Sequence, residues 1–166
     1  PTKAQRDWAK EHVWRPYHNA LAGELARLKA RFGYALLFDA HSIRSKIPRL
    51  FDDQLPDINL GTFEEQSCNP ELSQRLLTVC AAQSRFSHVI NGRFKGGHIT
   101  RSYGDPTNHI HAVQLELSQR TYMNEPCDEQ PIFAYREDRA AEVRPLLREL
   151  LEAMQRWAEI SNNKGK

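Results

Sequence analysis

Cysteine is scarce in this sequence: Cys68, Cys80 and Cys127 are the whole complement of 166 residues, odd in number and with no Cys-x-x-Cys pair. That usage disfavours a disulfide framework and a thiolate zinc site, and it predicts reduced, packed thiols. Long apolar runs are missing too. None approaches the roughly 20 residues needed to cross a bilayer, and residues 1–10 lack the charged-then-apolar layout of a signal peptide. No membrane partner is expected, and the cytoplasm is the expected compartment. Blocks of one charge sign are also absent. The formal net charge is +2 and the cations are scattered, so the wide basic footprint of a nucleic-acid binder is not there and no nucleic-acid partner is expected. Small anionic ligands stay open. The chain has no internal repeat and no low-complexity linker. Its first residue is Pro1 and not Met, which predicts an internal or processed start.

What is present suits one ordinary core. With 40% hydrophobic residues and both charge signs mixed, residues 1–166 read as a single domain or most of one. Thr2 is a candidate N-cap for a helical stretch to Phe32, which Pro16 should break or kink near Trp14. Leu21, Leu25, Leu28 and Phe32 form a stripe at helical spacing, and Gly33 sits where helices stop. Residues 34–38 are continuously apolar, as in a central strand covered on both faces. The stretch 39–61 reads as mostly loop, with a short strand at 57–60. Pro70 opens a helix to about Gln83, residues 87–90 form a short strand, and 91–106 form a flexible basic loop or hairpin. Residues 109–117 are a strand. A long helix spans 138–160 despite Pro145, with Leu146, Leu147, Leu150, Leu151, Met154 and Trp157 inward, and 162–166 should fray. Alternating helices and strands predict an α/β fold with a mixed, mostly parallel sheet flanked by helices.

Three segments could carry chemistry. In residues 38–42 an apolar strand runs into His41, where ligands bind beyond strand ends in open α/β sheets. If the strand continues, Asp39 shares its side and could orient the imidazole; otherwise His41 is a loop histidine bonded for structural reasons. In residues 109–117, alternation places His109, His111, Val113, Leu115 and Leu117 on one face and Ile110, Ala112, Gln114 and Glu116 on the other. Glu116 is then an acid in a buried strand, which is costly unless a cation or metal compensates. An edge strand with Glu116 in solvent is the alternative. His109 and His111 could grip a metal, but on the face turned away from Glu116. In residues 91–101, Arg93, Lys95 and Arg101 among glycines suit a carboxylate or phosphate, although no Walker motif is present. A solvated basic hairpin fits as well.

These segments occur together with Trp14-Arg15-Pro16-Tyr17-His18, Asp39-Ala40-His41-Ser42, residues 55–62 (LPDINLGT), 91–97 (NGRFKGG), 100–106 (TRSYGDP), 111–116 (HAVQLE) and Tyr122-Met123. In that order and spacing the chain resembles the N-formylglutamate amidohydrolase family over almost its whole length. The resemblance implies a zinc-carboxypeptidase-like (phosphorylase/hydrolase-like) fold similar to that of succinylglutamate desuccinylases. It further implies one zinc ion with His41 as its third ligand and Glu116 as the catalytic base. Arg93 and Arg101, with Asn91 as a weaker candidate, would bind the carboxylates of a small dianionic substrate. The implied reaction releases formate and L-glutamate from N-formyl-L-glutamate, in histidine degradation. Nothing before His41 matches the histidine and acidic residue that complete the family's metal site, and His12 and His18 lie on the helical stretch that follows that segment. The 166 residues are therefore expected to be the C-terminal part of a longer amidohydrolase domain, lacking its N-terminal segment and weak in metal binding and activity by itself. Other acyl groups or amino acids, or a non-catalytic anion-binding relative, are the alternatives. No oligomeric state is indicated.

Overall fold

The computed structural model describes residues 1–126 and 132–164. In chain order the elements are α1 (Lys3–Ala9), α2 (Arg15–Phe32), β1 (Ala35–Ile43), β2 (Ile58–Gly61), α3 (Pro70–Ala81), β3 (His88–Ile90), α4 (His98–Tyr103), β4 (Ile110–Ser118), β5 (Met123–Asn124), β6 (Ala134–Tyr135) and α5 (Glu137–Lys164). The main sheet has the order β1-β4-β2-β3, and β5 and β6 form a separate antiparallel pair. β1 is parallel to β4, β4 antiparallel to β2, and β2 parallel to β3, so the sheet is mixed and mostly parallel, as the sequence predicts.

Register sorts the side chains into two unlike faces. Leu36 and Phe38 of β1, Val113, Leu115 and Leu117 of β4, and Ile58 and Leu60 of β2 share one face. There α3 and α5 close the core with Leu72, Leu76, Cys80, Val143, Leu150, Met154 and Trp157. Each such side chain, taken fully out of water, contributes on the order of 1.5–3 kcal/mol. The opposite face carries Asp39, His41, Asn59, Gln114 and Glu116, and α4 packs beside it. One face holds the fold together, which leaves the other for polar chemistry.

Local signals explain most of the elements. Thr2 and Gln5 form a reciprocal capping box at α1. Asn69 caps α3, accepting from the Glu71 N–H, and Pro70 occupies its first turn. Gly33 ends α2 at φ 85°, a left-handed conformation that side chains disfavour.

Several expectations are corrected. Pro16 does not break the first helix: residues Lys10–Trp14 form a π-helical turn, whose wider ring accommodates the missing proline donor and the chain runs on to Phe32. Of the stripe on α2 only Leu25 is buried, and Phe32 is exposed. Among the described residues β4, not the 34–38 strand, is central and β1 has one neighbouring strand; β1 touches α2, α4 and α5, so its apolar run reports cover by helices. β1 also continues to Ile43, because it pairs with β4 residue by residue up to Ser118. Within 91–106 there is a short helix, α4, and not a hairpin. α5 passes Pro145 and Ile160 to reach Lys164, held by Val143, Leu146 and Leu150 against the sheet, while Leu151 faces solvent. Cys68 and Cys80 are free and buried, and burial pushes their thiols up to about 12 and about 11, so neither is a nucleophile. Cys127 lies outside the described residues. No helix among the described residues is long and apolar enough to cross a membrane.

Candidate functional site

His41 and Glu116, far apart in sequence, are register partners on adjacent parallel strands. Register partners project from the same face, so the imidazole and the carboxyl group converge. Two residues earlier Asp39 pairs with Gln114 in the same way. Because β1 remains extended through this stretch, Asp39 and His41 lie on one side and touch: Asp39 Oδ1 stands 2.9 Å from His41 Nε2. That leaves Nδ1 as the imidazole nitrogen with no partner among the described residues. The His41 side chain is 51% exposed and Asp39 only 16%, so the carboxylate is the support and the imidazole the open end.

Glu116 is buried, at 7% exposure, in the middle of the sheet. Burial raises its carboxyl above the ordinary carboxylate range; His41 and a hydrogen bond from Gln114 pull it back, and Asp39 adds to the rise. Gln114 Nε2 donates to Glu116 Oε2 at 3.2 Å, while Gln114 Oε1 accepts from the Gly97 N–H at 2.5 Å. A proton acceptor held in this way, with its proton affinity raised by burial, suits general acid–base work.

The Gln114 carboxamide ties the acid to the basic segment, since Gly97 is the N-cap of α4. Gly61 makes this approach possible. A Cβ there would stand 2.5 Å from Gly96 N and 2.8 Å from Lys95 C, so only glycine lets the 95–96 backbone lie on the end of β2. Arg101 Nε donates to Gly96 O at 2.8 Å and the guanidinium lies over Phe63, 4.7 Å from the ring centre. Arg93 Nε donates to Leu50 O at 2.7 Å, with its guanidinium over Phe94. Both forks keep terminal nitrogens without a hydrogen bond among the described residues. Lys95 is occupied by Glu64 at 2.7 Å. The Asn91 carboxamide is engaged as well: Oδ1 accepts from the Thr62 N–H and Nδ2 donates to the Thr62 hydroxyl, joining the exits of β3 and β2.

His109 and His111 do not form a metal grip. His109 lies before β4 in a left-handed conformation at φ 56°, exposed. His111 is buried, accepts the Asn69 N–H at Nδ1 and meets Trp157 edge to face, and burial pushes its pKa down to about 4. It is a core side chain of β4, packed between the start of α3 and α5. His12 stacks on Trp8, and His18 Nδ1 is 2.5 Å from the Tyr103 hydroxyl.

Among the described residues no three His, Cys, Asp or Glu side chains converge as a metal cage. The imidazole and carboxylate of His41 and Asp39 are ligand types that zinc accepts, so they fit as part of a donor set and not as the whole of one. Asn59 went unnoticed in the sequence, although its signal was the one that marked Glu116: a polar residue inside a short apolar strand. Alternation in the sequence puts Gln114 on the right face without marking its part.

These side chains define an α/β protein with a buried acid and a histidine–carboxylate pair on one sheet face. Residues 1–123 match the family model described as N-formylglutamate amidohydrolase. The N-formylglutamate deformylase of Pseudomonas aeruginosa is 60% identical over 157 residues, 95% of this chain and 58% of that protein. The N-formylglutamate deformylase of Pseudomonas putida is 59% identical over 157 residues, 95% of this chain and 57% of that protein. The crystal structure of N-formylglutamate amidohydrolase from Ralstonia eutropha JMP134 aligns with a TM-score of 0.75 at 23% identity, over 98% of this chain and 56% of that one, a likeness of fold. This chain belongs to the N-formylglutamate amidohydrolase family. It spans less than two thirds of the length of the curated relatives it matches.

Proposed function

We propose that, in the full-length protein, this site hydrolyses the formyl amide of N-formyl-L-glutamate to formate and L-glutamate, a step of histidine degradation in the cytoplasm. The observation that carries the reading is the pairing of His41 with Glu116 across β1 and β4. The family relatives named deformylase support the substrate.

On this reading Glu116 takes a proton from the attacking water and passes it to the departing amine. Amide hydrolysis needs the second transfer, because an amine leaves poorly unless it is protonated. Burial serves both steps by raising the affinity of the carboxylate for the proton. Arg93 and Arg101 bind the two carboxylates of the substrate, and Asn91, engaged by Thr62, holds the turn after β3 from which Arg93 projects. His41, oriented by Asp39, would be one ligand of the zinc in the full-length protein. The chemistry zinc supplies in such a place is Lewis-acid polarisation of the formyl carbonyl and acidification of water to a pKa near 7.

The test is Glu116→Gln in the full-length protein, assayed by formate release. The expected outcome is bound metal at the normal level with kcat reduced about 10²–10⁴-fold. Near-normal turnover removes Glu116 from the chemistry.

A further inference from the structure

Gln114 lies two residues before Glu116 on β4 and on the same face, 6% exposed against 7% for Glu116. Both ends of its carboxamide are engaged. Nε2 donates to Glu116 Oε2 at 3.2 Å, and Oε1 accepts from the Gly97 N–H at 2.5 Å. These partners fix which end is which, because a backbone N–H can only donate and an ionised carboxylate can only accept. The next link lies across one peptide unit. The carbonyl of that unit, Gly96 O, accepts from Arg101 Nε at 2.8 Å, and the Arg101 N–H closes the turn on Gly97 O at 3.1 Å. A continuous run of hydrogen bonds therefore leads from Glu116 Oε2 through Gln114 and the 96–97 peptide to the Arg101 guanidinium.

Two glycines make room for this run. Gly61, the register partner of Gln114 on β2, leaves the neighbouring position without a side chain, and a Cβ on Gly97 would come within 3.2 Å of Gln114 Oε1. A buried carboxamide matched at both its donor and its acceptor is held in one orientation, and each bond polarises the next. Other side chains of similar size fail at one end or both. Glutamate would keep an acceptor for the Gly97 N–H but set a second carboxylate against Glu116, and methionine would match neither. We infer that Gln114 is a positioning residue: it holds Glu116 by Oε2, leaves Oε1 as the oxygen that takes the proton from water and returns it to the amine, and fixes the acid at a set distance from Arg101. That spacing selects substrates whose formyl amide and carboxylate are equally far apart. These catalytic consequences rest on the proposed roles of Glu116 and Arg101. The hold on the Glu116 carboxyl group does not.

Two experiments on the full-length protein separate these layers. Crystal structures of the parent and of Gln114→Met are expected to show one Glu116 conformer bonded to Gln114 in the parent and a displaced carboxyl group in the variant. An unmoved Glu116 overturns the inference whether or not the protein deformylates, and Gln114→Glu answers the same question if Gln114→Met does not fold. With N-formyl-L-glutamate, Gln114→Met is expected to lower kcat about tenfold or more. Gln114→Glu, which keeps the link to Gly97, is expected to lower kcat as well, with KM within about twofold of the parent; parental kcat in either variant removes the positioning role. Gln114→Met combined with Arg101→Ala is expected to lower kcat/KM by less than the product of the two single losses, because either change alone breaks the run. Losses that multiply show the two residues acting separately and overturn the set spacing. A parent protein inactive on N-formyl-L-glutamate would instead defeat the proposed function and leave the crystallographic comparison to decide the hold on Glu116.

Discussion

Glu116 and His111 lie five positions apart on one strand and meet opposite fates, because alternation turns them to different faces. Glu116 faces the polar side, where His41 and Gln114 offset part of the cost of burial. His111 faces the core, where only the neutral imidazole can accept the Asn69 N–H. Its depressed pKa has a consequence for stability. Between about 4 and the ordinary 6.5 the unfolded chain binds a proton that the folded chain refuses, so stability rises with pH through that window and is flat above it. Unfolding in denaturant at pH 5 should therefore show about 2 kcal/mol less stability from this residue than at pH 7. His111→Gln, which does not titrate, should remove that slope, and an unchanged slope would point to other groups. The free forks of Arg93 and Arg101 make a separate prediction. Replacing either by Ala in the full-length protein should cost N-formylglutamate about tenfold to a hundredfold in kcat/KM, the worth of a charge-assisted hydrogen bond of roughly 1.5–3 kcal/mol. A formylated neutral amino acid should lose less, and equal losses on both substrates would take the arginines out of carboxylate recognition.

At the scale of elements, the site depends on a close approach between the end of β2 and the segment entering α4. Gly61 lies against the backbone of Lys95 and Gly96, and the Phe63 N–H donates to Lys95 O at 2.6 Å. Gly61→Ala forces that backbone outward, and with it Gly97, Arg101 and the hydrogen bond to Gln114. The expected result is a loss of about 1–3 kcal/mol of stability, as in other overpacked positions, together with a raised KM. Thermal melting and steady-state kinetics on the same sample check it; a variant with parental KM would show that the basic segment is positioned by other contacts. The first helix tells a related story. Pro16 marks a disturbance that the sequence places correctly, where a break or kink was expected and a π turn is found; the motif Trp14-Arg15-Pro16-Tyr17-His18 stays helical and His18 meets Tyr103 of α4.

At the scale of the molecule, the polar face presents an acid and a histidine–carboxylate pair, but no three-ligand metal group among the described residues. The chain matches relatives over less than two thirds of their length, so the complete protein is the unit on which metal dependence must be measured. On the proposed reading, dialysis of the full-length protein against a chelator abolishes formate release and added zinc restores it, and His41→Ala abolishes the restoration. Activity that survives chelation would remove zinc from the mechanism while leaving Glu116 as a possible base.

The sequence by itself determined what local physics controls. Period-two alternation put Glu116 and Gln114 on the face opposite His111. Thr2, Pro70 and Gly33 marked helix ends, and the order of helices and strands predicted a mixed α/β sheet. The tertiary structure alone decided which strands are neighbours and in what register, and hence that His41 stands opposite Glu116, that Asn59 flanks it, and that Lys95 is taken by Glu64 while Arg93 and Arg101 are held through Nε on Leu50 O and Gly96 O. Propensity and periodicity act over a few residues along the chain. Pairing between β1, β2 and β4 is instead settled by long loop closures and by the packing of α3 and α5 on one face of the sheet, terms to which every part of the chain contributes at once.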